Sequence, residues 1–104
     1  MNPFGNPQKL MKQLQQAQEK IQTEIAALVV EASSGGGVVR VEMDGQKQLR
    51  SLKIDPEVVS KEDVDMLQDM VMAACNEAVK KVEDESKKKM SSLMGGLGLP
   101  PGLL

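Results

Sequence analysis

Lysines set the chemical question. Lys80 to Met90 reads KKVEDESKKKM, five lysines in eleven residues. A second series, Lys9, Gln13, Gln16 and Lys20, recurs at three- and four-residue steps, with Lys12 beside it. Ammonium groups interleaved with long uncharged donors suit a phosphate backbone, because glutamine adds hydrogen bonds without adding repulsion. The same residues also suit the wet side of a helix. Helix physics separates the two series. Glu83–Lys87, Asp84–Lys88 and Glu85–Lys89 are acid-to-lysine pairs at i,i+4, each reinforcing a helix by a few tenths of a kcal/mol. Lysines also complement a helix C-terminus. Lys80 and Lys81 have no such account. Lys9 and Lys12 fall in the first turns of their helix, where cations oppose the macrodipole. The candidate anion contacts are therefore Lys9, Lys12, Gln16, Lys20, Lys80 and Lys81.

Other chemistry is thin. The chain has no His, Trp or Tyr, and Phe4 is its one aromatic. That removes the commonest general base and metal ligand, and the stacking platforms for single-stranded bases. Ser33–Val39, SSGGGVV, invites a phosphate-loop reading. A phosphate cradle needs its glycines to open into a helix; here they lead into a strand, so a hairpin connection is expected. Glu62, Asp65 and Asp69 share a helix face, but no loop or His converges on them, so a solvated acidic face is expected. Cys75 lies among apolar positions and reads as a small hydrophobe. A single cysteine cannot form an internal disulfide, which fits a reducing cytoplasm. Met66, Met70, Met90 and Met94 read as core filler and tip packing. No catalytic constellation, metal site or cofactor site is expected, and an enzyme is not.

The charge is uneven along the chain. Residues 1–54 carry seven Lys/Arg and five Asp/Glu, residues 55–77 one and seven, and residues 78–104 five and three. An acidic middle of −6 thus separates two ends of +2 each, giving −2 in all. The leader MNPFGNPQK has no apolar h-region, so no signal peptide is expected. No apolar run approaches the roughly 20 residues that span a bilayer.

These residues need positioning elements. Asn6 before Pro7 is a plausible helix cap. Leu10, Leu14, Ala17, Ile21, Ile25 and Leu28 then recur at helical steps. Beyond Leu28 the period becomes two. VVEAS, VVRVEMD and QLRSLKID read as three strands, with Val39, Val41 and Met43 facing one way and Arg40 and Glu42 the other. Asp44-Gly45 reads as a hairpin turn, on the ground that glycine tolerates positive φ. Ser60, with Asp63 as a capping-box-like partner, starts a helix to about Met94. Val64, Leu67, Val71, Ala74, Ala78 and Val82 mark its stripe. The expected fold is α+β, in the order α-β-β-β-α, with one antiparallel sheet. Residues 1–94 are expected to form a single domain and 95–104 a flexible Gly/Pro/Leu tail. A last helix of some 34 residues spans roughly 50 Å, so it must project from the body. An aromatic-free core this small suggests self-association.

SLKIDPEVV, LQDMVMAACNEAVKKV, GGLGLPPG and the leader MKQLQQAQEKIQ together resemble the YbaB/EbfC family of bacterial nucleoid-associated proteins. The likeness runs from about Asn6 to Gly102. It implies a tweezer-like homodimer with long helices projecting as arms. It also implies binding of double-stranded DNA with little or variable sequence preference, and effects on nucleoid organisation and transcription. DNA contacts would fall on the projecting helices, here Lys9 to Lys20 and Lys80 to Lys89. A cytoplasmic protein at the nucleoid is implied, with no membrane partner. The other reading is a dimeric adaptor whose arms grip a DNA-repair or replication protein.

Overall fold

The computed structural model describes residues 6–96. Helix α1 runs over Pro7–Ala26, β1 over Val29–Ser34, β2 over Val39–Asp44, β3 over Leu49–Ile54 and helix α2 over Val64–Gly96. The sheet is antiparallel in the order β1-β2-β3. The expected α-β-β-β-α order holds. Asn6 caps α1 as its sequence suggests: Oδ1 accepts from the backbone N–H groups of Gln8 and Lys9, and Pro7 opens the helix.

Alternation along β2 decides where the core lies. Val39, Val41 and Met43 are buried, beside Val30 and Ala32 of β1 and under Ala74, Ala78 and Val82 of α2. The two alanines, four residues apart, leave room for the α2 backbone to come close to the sheet. Helix α2 packs on β1 and β2. It leaves Leu49 and Leu52 of β3 about half exposed.

The molecule measures 75 × 22 × 16 Å, with a Cα radius of gyration of 20.1 Å. A compact domain of this length has a radius near 13 Å, so an arm does project. Lys89 of α2 lies 3.8 Å from Glu24 near the end of α1. The two helices are antiparallel, so the start of α1 and the end of α2 extend the same way from that contact. Seventeen residues of α1 precede Glu24, roughly 25 Å of helix, whereas seven residues of α2 follow Lys89, roughly 10 Å. The tip of α1 therefore overruns the described end of α2. Of the apolar stripe of α1, Ile21 is buried, while Leu10 and Leu14 are exposed.

Three expectations need correction. First, the turn after β2 does use Gly45, but its backbone is not the one with positive φ; Lys47 takes that conformation, at 64°. Gly45 is needed for space, since a Cβ there would overlap the Ile25 carbonyl oxygen of α1. The glycine lets the hairpin tip press against the arm's base. Second, Ser60 does not cap α2. It precedes a short 3-10 turn over Lys61–Asp63 and donates to Asp63 Oδ2 at 3.4 Å. The α-helix then starts at Val64 and runs through Gly96, two residues beyond the expected end. Third, Val64 at the head of the expected stripe is exposed. The proposed 95–104 tail lies, from residue 97, outside the described residues.

Asp44 locks the same hairpin. Its carboxylate is buried, and Oδ1 accepts from the N–H groups of Gln46 and Gln48 at 2.9 and 3.1 Å. Oδ2 meets Arg50 Nε at 2.8 Å. The Gln48 N–H, and after it that of Gln46 and the Arg50 guanidinium, hold the Asp44 carboxyl below the usual carboxylate range, against the opposing effect of burial. A lowered folded pKa means stability that is present above the ordinary value, about 3.9, and lost as pH falls through the folded one. Thermal melts between pH 2 and 6 should show this loss. Asp44→Asn should lower the melting temperature at neutral pH and flatten that acid dependence.

Candidate nucleic-acid interface

Helix α1 presents its cations on one side. At 100° per residue, Lys9, Gln13, Gln16 and Lys20 fall in one row, with Lys12 beside it and the Leu10–Leu14–Ile21 stripe about a third of a turn away. Lys9, Lys12, Gln16 and Lys20 are all exposed. No acid lies in the first turn of α1. Among the described residues, none of the three lysines pairs with a carboxylate within 4 Å. Their charge is therefore available.

Lys80 and Lys81 sit elsewhere. Lys80 is exposed. Lys81 crosses the free edge of β1, where Nζ donates to the Glu31 carbonyl oxygen at 2.7 Å. Along the helix axes, Lys81 lies roughly 12 Å from Lys89, and Lys9 roughly 22 Å beyond Glu24. The candidate residues thus form two groups, one on the arm and one on the body.

The expected i,i+4 ladder of α2 is not the pairing adopted. Glu83 is taken by Lys47 of the hairpin at 3.1 Å, which ties the β2–β3 turn to α2. Glu85 pairs with Lys88 at i,i+3, at 3.4 Å. Lys89 turns across to Glu24 on α1. Tertiary partners in reach have displaced the local ones. Lys88 and Lys89 are nonetheless partly offset by acids, whereas Lys87 has no such partner among the described residues. Exposed pairs of this kind are worth about 0–1 kcal/mol each.

Two further surfaces stand out. One is an apolar groove of about 470 Å³ lined by Ile54, Leu67, Gln68, Val71 and Met72. The half-exposed Leu52 lies two residues from Ile54 on the same face of β3. The other is an open polar cleft of about 510 Å³ beside β1, lined by Glu31, Ser33, Ser34, Gly36, Gly37, Arg40 and Lys81, with Ala32 at its floor. Arg40 was legible in the sequence only as an outward-facing strand residue. Its position in a cleft depends on the fold of the Gly35–Gly37 turn, whose three glycines all have positive φ.

The family model of the YbaB/EbfC DNA-binding family matches residues 2–97. The chain belongs to this family. Its relatives include a nucleoid-associated protein of Acidobacterium capsulatum, 49% identical over 108 residues and covering 99% of each chain. A nucleoid-associated protein of Dictyoglomus thermophilum is 46% identical, covering 98% of this chain and 97% of its own. Among solved structures, an uncharacterized protein from Helicobacter pylori superposes with a TM-score of 0.61 at 28% identity, over 76% of this chain and 92% of that one. The YbaB/EbfC membership fits the geometry: an exposed, unopposed cation row on a projecting helix. No helix among the described residues is long and apolar enough to cross a membrane.

Proposed function

We propose that the chain is a non-enzymatic, nucleoid-associated protein of the bacterial cytoplasm that binds duplex DNA as a homodimer. Binding has little sequence preference and affects nucleoid organisation and gene expression. The observation that carries this reading is the α1 row, Lys9, Lys12, Gln16 and Lys20, exposed and unopposed on a projecting arm. Lysine and glutamine contacts to phosphate carry no base information. The segment Asp55 to Glu77, with its seven acids, faces away from DNA in this mode. Dimerisation is supported by the apolar groove at Ile54, Leu67, Val71 and Met72 and the uncovered Leu49 and Leu52 beside it. A second copy would bury that face and place two arms on one assembly.

Two measurements test the reading. Light scattering on dilution into the low micromolar range should report a dimer, and a stable folded monomer there would remove the two-armed grip. Duplexes of unrelated sequence but equal length should bind within a few-fold of one another; a preference of 10³ or more, the range of specific binders, would overturn non-specific recognition.

The exposed Leu10, Met11 and Leu14 on the arm favour a second reading, an adaptor that grips a DNA-repair or replication protein. Salt separates the two, because apolar capture tolerates salt and phosphate contacts do not.

Residues 1–94 are taken as the folding unit. Helix α2 takes in Gly95 and Gly96, and residues 97–104 add two more glycines and two prolines, residues that disfavour a helix interior. Truncation after Met94 should leave the melting temperature almost unchanged, and a fall of many degrees would show that these residues are part of the folding unit.

A further inference from the structure

The cleft beside β1 collects two cations, Arg40 and Lys81, beside one acid, Glu31. Arg40 Nε donates to the Gly37 carbonyl at 3.1 Å, which fixes the guanidinium at the rim. Its other nitrogens keep free donors. Lys81 also lines the cleft and is held by its bond to the Glu31 carbonyl. The exposed Ser33 adds a hydroxyl to the lining. A lysine across a free strand edge also blocks unwanted strand pairing, so Lys81 alone has a structural reason to be there. Arg40 has less of one. The register sets it directly opposite Lys53 on β3, on the same face. Like charges placed directly across a strand pair are destabilising. Neither residue pairs with an acid within 4 Å among the described residues. The fold therefore tolerates a repulsion that a bound anion would relieve.

We propose that this cleft is a second phosphate subsite, in which Arg40 and Lys81 receive a backbone phosphate of duplex DNA, with Lys53 adding to the local field. The inference rests on the DNA-binding reading and extends it from the arm to the body. Phosphate oxygens match the donors here: a planar guanidinium, an ammonium and a hydroxyl around a concave surface. Glu31 stands on the rim, opposite Glu42 in the register, and weakens the site. The acidic turns after Ile54 leave from β3, two strand spacings, roughly 10 Å, from the β1 edge.

The test is fluorescence anisotropy of a random-sequence duplex with the full chain between 50 and 200 mM salt. Four proteins are compared: wild type, Arg40→Gln/Lys81→Gln, Glu31→Gln and Lys9→Gln/Lys12→Gln/Lys20→Gln. Each lost phosphate contact should lower the log–log salt slope by about 0.9, so the cleft double variant should lose about 0.9 for each cleft engaged. Glu31→Gln should tighten binding several-fold, which a purely edge-guarding role for Lys81 does not foresee. The melting temperature of each variant is measured alongside. If the cleft double variant keeps the wild-type slope and affinity while the α1 triple variant loses both, the subsite is refuted and the arm reading stands. A loss of affinity explained by a collapsed melting temperature, with Glu31→Gln neutral, also overturns it. Inorganic phosphate provides the remaining arm. Were millimolar phosphate to shift the Arg40 and Gly37 amide resonances while duplex left them unmoved, the cleft would be a small-anion site and not a DNA subsite. If wild type fails to bind duplex at 50 mM salt, the DNA reading falls first and the subsite with it.

Discussion

Lys9→Gln/Lys12→Gln/Lys20→Gln is expected to weaken duplex binding by one to several orders of magnitude at low salt, without unfolding the chain. All three side chains are exposed, and surface substitutions of this kind move stability by about 0.5 kcal/mol or less. Two of them lie in the first turns of α1, where removing a cation relieves an unfavourable interaction with the helix dipole. Stability should therefore hold or rise while affinity falls. Each contact removed should take about 0.9 from the salt slope, and every duplex should be affected alike. Replacing Lys88 and Lys89 by Gln should matter less, because Glu85 and Glu24 already offset them. Lys87, without such a partner among the described residues, should fall between. Anisotropy titrations of the variants rank these groups directly. If Lys88 and Lys89 dominate, charge availability is not what selects the contact residues.

The second large effect concerns the uncovered apolar face. Leu52 and Met72 are 48% and 60% exposed in the single chain. Their replacement by Asp should therefore be nearly neutral for a monomer. In a dimer that buries them, each introduces a charge into an apolar interface, at a cost of several kcal/mol. Leu52→Asp/Met72→Asp should raise the dimer dissociation constant by at least about a hundredfold, since each 1.4 kcal/mol is a factor of ten. Sedimentation velocity across the micromolar range reads this. Duplex affinity should fall with it, because the two arms no longer act together and lose their effective concentration. A double variant that remains dimeric would place the interface elsewhere on the molecule.

Much of this architecture is legible in the sequence for definite reasons. The period of two in Val39, Val41 and Met43 fixes the buried side of β2, because a slip of one residue would expose all three. Asn6-Pro7 marks the start of α1 because the cap and the proline each satisfy a backbone need of a first turn. Lys9 and Lys12 stand out because cations in the first turns of α1 oppose the dipole. What sequence hides is long-range. The overlap that requires glycine at position 45 involves a carbonyl of α1, twenty residues earlier. The choice of Lys47 over Lys87 as the partner of Glu83 depends on where the hairpin tip lands. Ser60 satisfies the local pattern of a cap, yet the chain turns through a 3-10 segment before α2 begins. The cleft at Arg40 needs the β1–β2 turn and the side of α2 together, and no spacing within one element reveals it.

Unopposed lysines on a projecting arm are proposed to bind phosphate. A dimer would carry about −4 in total, twice the −2 of one chain, so attraction must come from local patches and must be salt-sensitive. Titrating wild-type protein into a random-sequence duplex at 50 and 200 mM salt tests this most directly. The expected result is a dissociation constant of about 10⁻⁴ to 10⁻⁶ M at physiological salt and a steep linear loss of log affinity with log salt. Absence of duplex binding at 50 mM, or binding that salt does not weaken, would contradict it.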